Sequence, residues 1–413
     1  MKTDRDWGAL AASRLAELAE LSSPGPGVTR LPFTPEHRAA LDLIGGWMEE
    51  AGLDVRLDAA GTLIGRREGP PGAPTFLMGS HQDSVREGGA FDGAMGVLLP
   101  ILALEKLRAE DVALPFAVEV LGFADEEGVR FPTALLGPRA LAGTFDAAVL
   151  DMEDGDGVSL RDAMHGFGLD PEAIAGLKRD PAGIIGYLEA HIEQGPVLEA
   201  EGEALGVVTA ICGIERHPVV FSGETGHAGT LPMAMRRDAL VGAAALVAEV
   251  DRSARAEPGL LGTVGTLSVL PGAVNAVPRE ARLTVELRAP DDAVREKAGR
   301  ALTAFAEGIA SERGLSLDMR RSYHQPAAPC DPGLTGALVQ AVRDTGGKGL
   351  ALPSGATHDA SAMADLCPIA MLFLRCRDGV SHRPEEHASA PDMGQAIDAM
   401  GAFLKAVGDR RAP

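Results

Sequence analysis

The chain has 413 residues, 46% of them apolar and 23% charged, which is the balance of a soluble globular protein and a length that suggests two domains. A formal net charge of −21 argues against nucleic acid or an anionic membrane surface as the main partner. No apolar run approaches the ~20 residues needed to span a bilayer. The four cysteines (Cys212, Cys330, Cys367, Cys376) form no CxxC pair, so neither a disulfide framework nor a thiolate cluster is indicated.

The N-terminus carries leucines at helical spacing among acids and bases and lacks the basic start and apolar core of a secretory signal, so a cytoplasmic location is expected. Thr34 to Ala51 reads as an amphipathic helix, with Pro35 near its start and Gly52 closing it. Leu53 to Asp58, Leu63 to Arg66, Thr75 to Met78 and Phe116 to Phe123 read as strands. Ala94 to Glu110 reads as a helix that Pro100 should kink. Asp151 to Ile184 is acidic and turn-rich and should carry short surface helices, and Tyr187 to Gln194 returns to the sheet.

After Cys212-Gly213 the pattern becomes more regular. His217 to Ser222, Gly262 to Leu270, Glu280 to Ala289 and Leu315 to Ser322 read as strands, with helices over Asp238–Ala256 and Asp291–Gly314. That order is the ferredoxin-like split βαβ arrangement. Alternation resumes with a helix over Gly333–Thr345 and a strand over Ile369–Leu374. The expected fold is therefore an α/β sheet domain (1–212 and 329–413) interrupted by a ferredoxin-like α+β module over 213–328.

The polar groups gather at strand ends. His81 and Asp83 leave the Thr75 strand on one side of the chain, and Asp92 follows a Gly88-Gly89 turn. This is either a metal site, in which a carboxylate can bridge two ions, or a polar turn that contains a histidine. Glu126 and Glu127 close the next strand. Adjacent side chains diverge, so one can ligate a metal while the other acts as general base; a solvated acidic turn is the plainer alternative. His191 and Glu193 repeat the His-x-acid spacing at a third strand end, and His382 stands on a loop held by glycine and proline. In the module, His227 follows a strand, and Asn275 and Arg288 lie in or beside later strands. Arg288 suits a substrate carboxylate or a surface ion pair between Glu286 and Asp291. His358-Asp359 reads as a loop turn rather than an oriented histidine.

Five stretches in order, GSHQDSV..GGAFDG, FADEEGVRF, YLEAHIEQGPVLE, GHAGTLPM..RRDA and GVSHRPEE, resemble the M20-type metallo-amidohydrolases. Within them the resemblance is to the N-carbamoyl-L-amino acid hydrolase, β-ureidopropionase and allantoate amidohydrolase group, and it extends from about Thr34 to Asp398. It implies a catalytic α/β domain interrupted by a ferredoxin-like dimerisation domain, and hence a homodimer. It implies two divalent ions per chain, zinc, manganese, cobalt or nickel: His81 and His191 on one, Glu127 and His382 on the other, and Asp92 bridging. Asp83 would orient His81, and Glu126 would be the general base. His227, Asn275, Arg288 and Gln194 would contact a small ureido carboxylate, with His227 supplied by the partner chain. Thr357, Pro138 and Leu231 depart from the commonest pattern and leave substrate preference open. An aminopeptidase or aminoacylase reaction on an amide bond is the alternative chemistry, and an inactive dimeric binding protein the alternative of another class.

Overall fold

In the computed structural model, residues 5–410 are described; the outermost parts of the expected first and last stretches, 1–4 and 411–413, lie outside them. The chain starts with helices α1 (Trp7–Ala19) and α2 (Pro35–Glu50). Thr34 caps α2 by accepting from the His37 N–H, and Pro35 sits where its missing N–H is not needed. Then come β1 (Asp54–Leu57), β2 (Leu63–Arg67), β3 (Thr75–His81), α3 (Ala94–Ala109), β4 (Ala117–Phe123), α4 (Leu136–Ala142), α5 (Leu160–Gly166), β5 (Ile184–Ile192), α6 (Val197–Glu201) and β6 (Leu205–Ile211). The second stretch holds β7 (Gly213–Ser222), α7 (Ala239–Ala256), β8 (Leu261–Leu270), β9 (Glu280–Ala289), α8 (Asp292–Glu312), β10 (Ser316–Met319) and β11 (Tyr323–Gln325). The chain ends with β12 (Ala328–Pro329), α9 (Pro332–Asp344), β13 (Leu350–Ser354), α10 (Asp359–Met363), β14 (Ile369–Leu374) and α11 (Ala390–Asp409).

The structure divides into two compact units. One comprises 1–209, 329–352 and 356–413; the other comprises 210–328 and 353–355. The larger unit carries a nine-stranded sheet in the order β1-β2-β4-β3-β5-β14-β6-β12, with β13 also on β6. β3 is parallel to both β4 and β5, and β5 is parallel to β14. These central strands are buried along almost their whole length, as parallel strands covered on both faces must be. On one face lie α1, α3 and α11. α3 is apolar all round and almost wholly buried, and it continues through Pro100 without a break. The opposite face is closed by α4, α5 and the acidic 147–177 stretch. That stretch buries Leu150, Leu160, Met164 and Ile174 against Phe33 and Phe131.

The smaller unit is β7-α7-β8-β9-α8-β10 with sheet order β10-β7-β9-β8, every pairing antiparallel, which is the ferredoxin-like arrangement. β9 alternates strictly, and its inward residues Leu283, Val285 and Leu287 pack with Phe221, Leu246 and Leu302 beneath the two helices. The last expected strand, Leu315–Ser322, is split. Met319 pairs with Val219 but Tyr323 pairs with Arg216, so three residues face two, one of which is Pro218 with no N–H to give. Among the described residues no helix is long and apolar enough to cross a membrane.

Candidate metal centre

Three neighbouring parallel strands deliver the polar groups at their carboxyl ends, the side on which open α/β sheets bind ligands. β3 ends on His81, β4 runs out into Asp125-Glu126-Glu127, and β5 carries His191 one residue from its end. Asp92 lies in the turn before α3. There Gly93 adopts φ +63°, and a Cβ on it would lie 2.3 Å from the His81 ring, so the turn closes on the imidazole only with glycine.

Asp92 is the centre of the cluster. Its Oδ1 stands 2.9 Å from His191 Nε2 and 3.5 Å from His81 Nε2, and its Oδ2 stands 3.4 Å from His382 Nε2. Glu127 Oε2 lies 3.8 Å from the same His382 nitrogen. Two groups of side chains thus share Asp92: His81 and His191 on one side, Glu127 and His382 on the other. In each group the possible ligand atoms lie within 4.8 Å of one another. Gln194 Nε2 donates to Asp92 Oδ2 at 2.8 Å, from a backbone held at φ +56°.

The tautomers are set from behind. His81 Nδ1 is 3.0 Å from the Asp83 carbonyl oxygen and 3.4 Å from its Oδ1; His191 Nδ1 is 2.9 Å from the Ile192 carbonyl. Both Nδ1 atoms therefore donate, and both Nε2 atoms face Asp92. Asp83 also accepts from the backbone N–H groups of Glu126 and Glu127, so one carboxylate aligns a histidine and both glutamates. Glu126 Oε2 reaches within 4.0 Å of His81 Nε2.

The charges are crowded. Burial raises the Asp92 carboxyl, but His191, His382 and His81 outweigh it and leave Asp92 well below the usual carboxylate range. Burial raises Glu126 well above that range, helped by Glu127, Asp359 and Asp83 and opposed by His81. Glu127 is pushed up to about 7 by burial and by Asp92 and Asp83, and its buried Oε1 has no hydrogen-bond partner among the described residues. His382, half-exposed at φ +58°, is raised to about 8, chiefly by its contact with Asp92. Three imidazoles crowded on one carboxylate, beside a glutamate with an unpartnered oxygen among the described residues, are an arrangement that cations would relieve. Nitrogen and oxygen donors with no thiolate fit zinc, manganese, cobalt or nickel.

The remaining expected residues lie in the smaller unit. His227 is exposed, with Nδ1 accepting from the Gly229 N–H at 3.1 Å. Its loop is joined to the Asn275 loop by the Ala228 N–H on the Asn275 carbonyl (2.9 Å) and by a bridge to Ala276, so the two residues share one end of the module. Arg288 donates from Nε to Glu286 Oε1 at 2.8 Å and from Nη1 to the Gly355 carbonyl at 2.7 Å.

Two sequence readings are corrected. Glu193 does not accompany His191; its carboxylate accepts from the Val197 and Leu198 N–H groups at the start of α6. The acid that lies with His191 is Glu189, which is fully buried, accepts from Ser80 Oγ and the Ala360 N–H, and gives no sequence signal beyond its place in an apolar strand. His358-Asp359 is no surface turn: both residues are buried, Asp359 opens α10, and the His358 ring packs edge-on against His191 at 4.5 Å. Sequence reasoning also misses Ser381, whose Oγ is 3.0 Å from Asp92 Oδ2, and Glu386, which accepts from the Asp92 N–H. Both lie within four residues of His382, and that proximity is the only signal they carry.

The sequence matches the model of peptidase family M20/M25/M40 over residues 77–406. It is 42% identical to an N-carbamoyl-L-amino acid amidohydrolase of Geobacillus stearothermophilus, over 92% of this chain and 93% of that protein. It is 38% identical to an allantoate deiminase of Arabidopsis thaliana, over 96% of this chain and 81% of that one. A crystal structure of a hydantoinase/carbamoylase-family amidase from Burkholderia multivorans superposes with a TM-score of 0.91 at 32% identity, covering 97% and 98% of the two chains. The chain belongs to peptidase family M20/M25/M40, and the relatives it matches include N-carbamoyl-L-amino acid amidohydrolases and allantoate deiminases.

Proposed function

We propose that this protein is a metal-dependent amidohydrolase that cleaves the ureido C–N bond of a small carboxylate, an N-carbamoyl amino acid or allantoate, releasing ammonia and carbon dioxide. The observation that carries this reading is the convergence of His81, His191, Glu127 and His382 on the two oxygens of Asp92, with Glu126 beside them. The names of the relatives supply the substrate class. The five residues would hold two divalent ions. When bound, these supply Lewis acidity to a carbonyl made unreactive by two nitrogen donors, and they allow water to ionise near neutral pH.

The chain's own groups do the rest. Glu126, buried and raised, takes a proton from the attacking water and returns it to the departing nitrogen. Asp83 fixes the direction of both His81 and the Glu126 backbone. Arg288 binds the substrate carboxylate, with Asn275 and Gln194 alongside, and His227 donates to the oxygen on which negative charge develops.

The role of His227 extends the reading to a homodimer in which this residue serves the partner's metal centre. The outer edge of β8 supports this: it carries no further strand among the described residues, and Leu261, Leu267 and Leu270 are exposed along it. The four buried, unpaired cysteines support a reducing compartment, the cytoplasm.

The test is ammonia release across N-carbamoyl-L-amino acids, allantoate and N-carbamoyl-β-alanine, with N-acyl amino acids as contrast. Turnover of at least one ureido compound is expected; cleavage of the acyl compounds alone would move the protein to the aminoacylase chemistry.

A further inference from the structure

Glu386 is buried, belongs to neither group of side chains around Asp92, and has both carboxylate oxygens engaged. Its Oε1 accepts from two consecutive backbone N–H groups, Phe91 at 3.0 Å and Asp92 at 2.9 Å. Its Oε2 lies 3.0 Å from Ser381 Oγ, which is also 3.0 Å from Asp92 Oδ2 and accepts from Gln194 Nε2 at 3.1 Å. The same carboxylate thus touches Asp92 from its main-chain side and, through one hydroxyl, from its side-chain side.

The turn before Asp92 is shaped around this carboxylate. A Cβ on Gly89 would lie 2.2 Å from Glu386 Oε1, so glycine there makes room for it. Gly88 is fixed in turn by reciprocal bonds with Val28 (2.8 and 3.0 Å), and the Phe91 ring meets His387 edge-on at 5.5 Å. The loop that carries His382 and the turn that carries Asp92 are therefore locked together through residue 386.

We infer that Glu386 is a positioning residue, which holds the Phe91–Asp92 backbone so that both oxygens of Asp92 face the two groups of ligands at once. The inference rests on the reading of Asp92 as the bridging carboxylate. What matters is an acceptor oxygen at the end of a side chain of glutamate length, since the two N–H groups need a partner at that point and at no other. Glutamine keeps that oxygen and loses the charge; aspartate keeps the charge and falls one methylene short.

Full-length protein stripped by chelation and titrated with cobalt(II) separates the two, read by the binding isotherm and the visible spectrum of the bound ions. Glu386→Gln should bind two ions per chain with affinities within about threefold of wild type and the same spectrum. Glu386→Asp should bind the weaker ion about 10–100-fold less tightly, the usual effect of losing a partner behind a ligand, with an altered spectrum. Any other order of the two variants overturns the inference. If wild type binds two ions and Glu386→Asp does the same with equal affinity, this role alone fails; if wild type binds none, the metal reading fails with it.

Discussion

Asp92 Oδ1 lies 2.9 Å from His191 Nε2, while the other nitrogen of that ring donates to the Ile192 carbonyl. A neutral imidazole so oriented turns a lone pair toward a carboxylate oxygen. Only a proton or a cation between them makes the contact favourable, and the same holds for His81 at 3.5 Å. The chemistry proposed for the site follows from this contact.

The two adjacent glutamates should separate by function. Glu126→Gln should keep both ions and substrate affinity while lowering kcat by about 10²–10⁴-fold, the span of a lost general base. Glu127→Gln should weaken one ion, measured as metal content after dialysis. The reverse pattern would exchange their roles.

Much of this centre is legible in the amino-acid sequence, because strand ends in an α/β sheet are marked by apolar runs that stop at polar residues. His81, Glu126, Glu127 and His191 stand at such stops. The strand carrying His81 reads as ending at Met78, three residues early, because the apolar run stops there; in the fold Gly79 continues the strand and passes so close to Leu121 that a Cβ would lie 2.0 Å from its carbonyl oxygen. Glu189 and His358 are not legible, since neither a polar residue inside an apolar strand nor a histidine just before a short helix shows locally that it is buried, and only packing decides. α11 is absent from the expected elements although Ser389 caps it and Met393, Ile397, Met400 and Leu404 follow at helical spacing.

Arg288 is held by Glu286 through Nε and by the Gly355 carbonyl through Nη1, and its binding of a substrate carboxylate is a proposal that a conservative change can test. Arg288→Lys should raise KM for substrates with a free carboxylate and leave their amide analogues nearly unaffected. Equal losses for both classes would make the residue structural.

The proposal that His227 serves the partner's metal centre makes a complementation prediction. Glu126→Ala and His227→Ala should each be almost inactive alone. With random pairing, about half of the dimers would be mixed and each would hold one site with both residues intact, so co-expression should restore about a quarter of wild-type activity. Proven mixed dimers as inactive as their parents would place His227 within its own chain or outside the reaction.

His37 supplies a pH prediction away from the reaction. It is fully buried against Phe167, its Nδ1 accepts from the Phe33 N–H, and burial, then Arg30, Arg38 and Arg130, lowers its pKa to about 3. The folded value lies below the unfolded 6.5, so its contribution is complete above pH 6.5 and is lost as pH falls toward 3. Between pH 7 and pH 5 wild type should lose about 2 kcal/mol more unfolding free energy than His37→Gln, measured with urea. Equal losses would show that His37 is protonated in the folded state.

The central claim is that two ions on these five residues drive ureido hydrolysis. It is tested most directly by titrating exhaustively chelated protein with manganese(II) while following ammonia release from N-carbamoyl-L-amino acids and allantoate. Activity should be absent at the start, rise with added metal and level off at about two ions per chain. Full activity in the chelated protein, or a plateau reached at one ion, would contradict it.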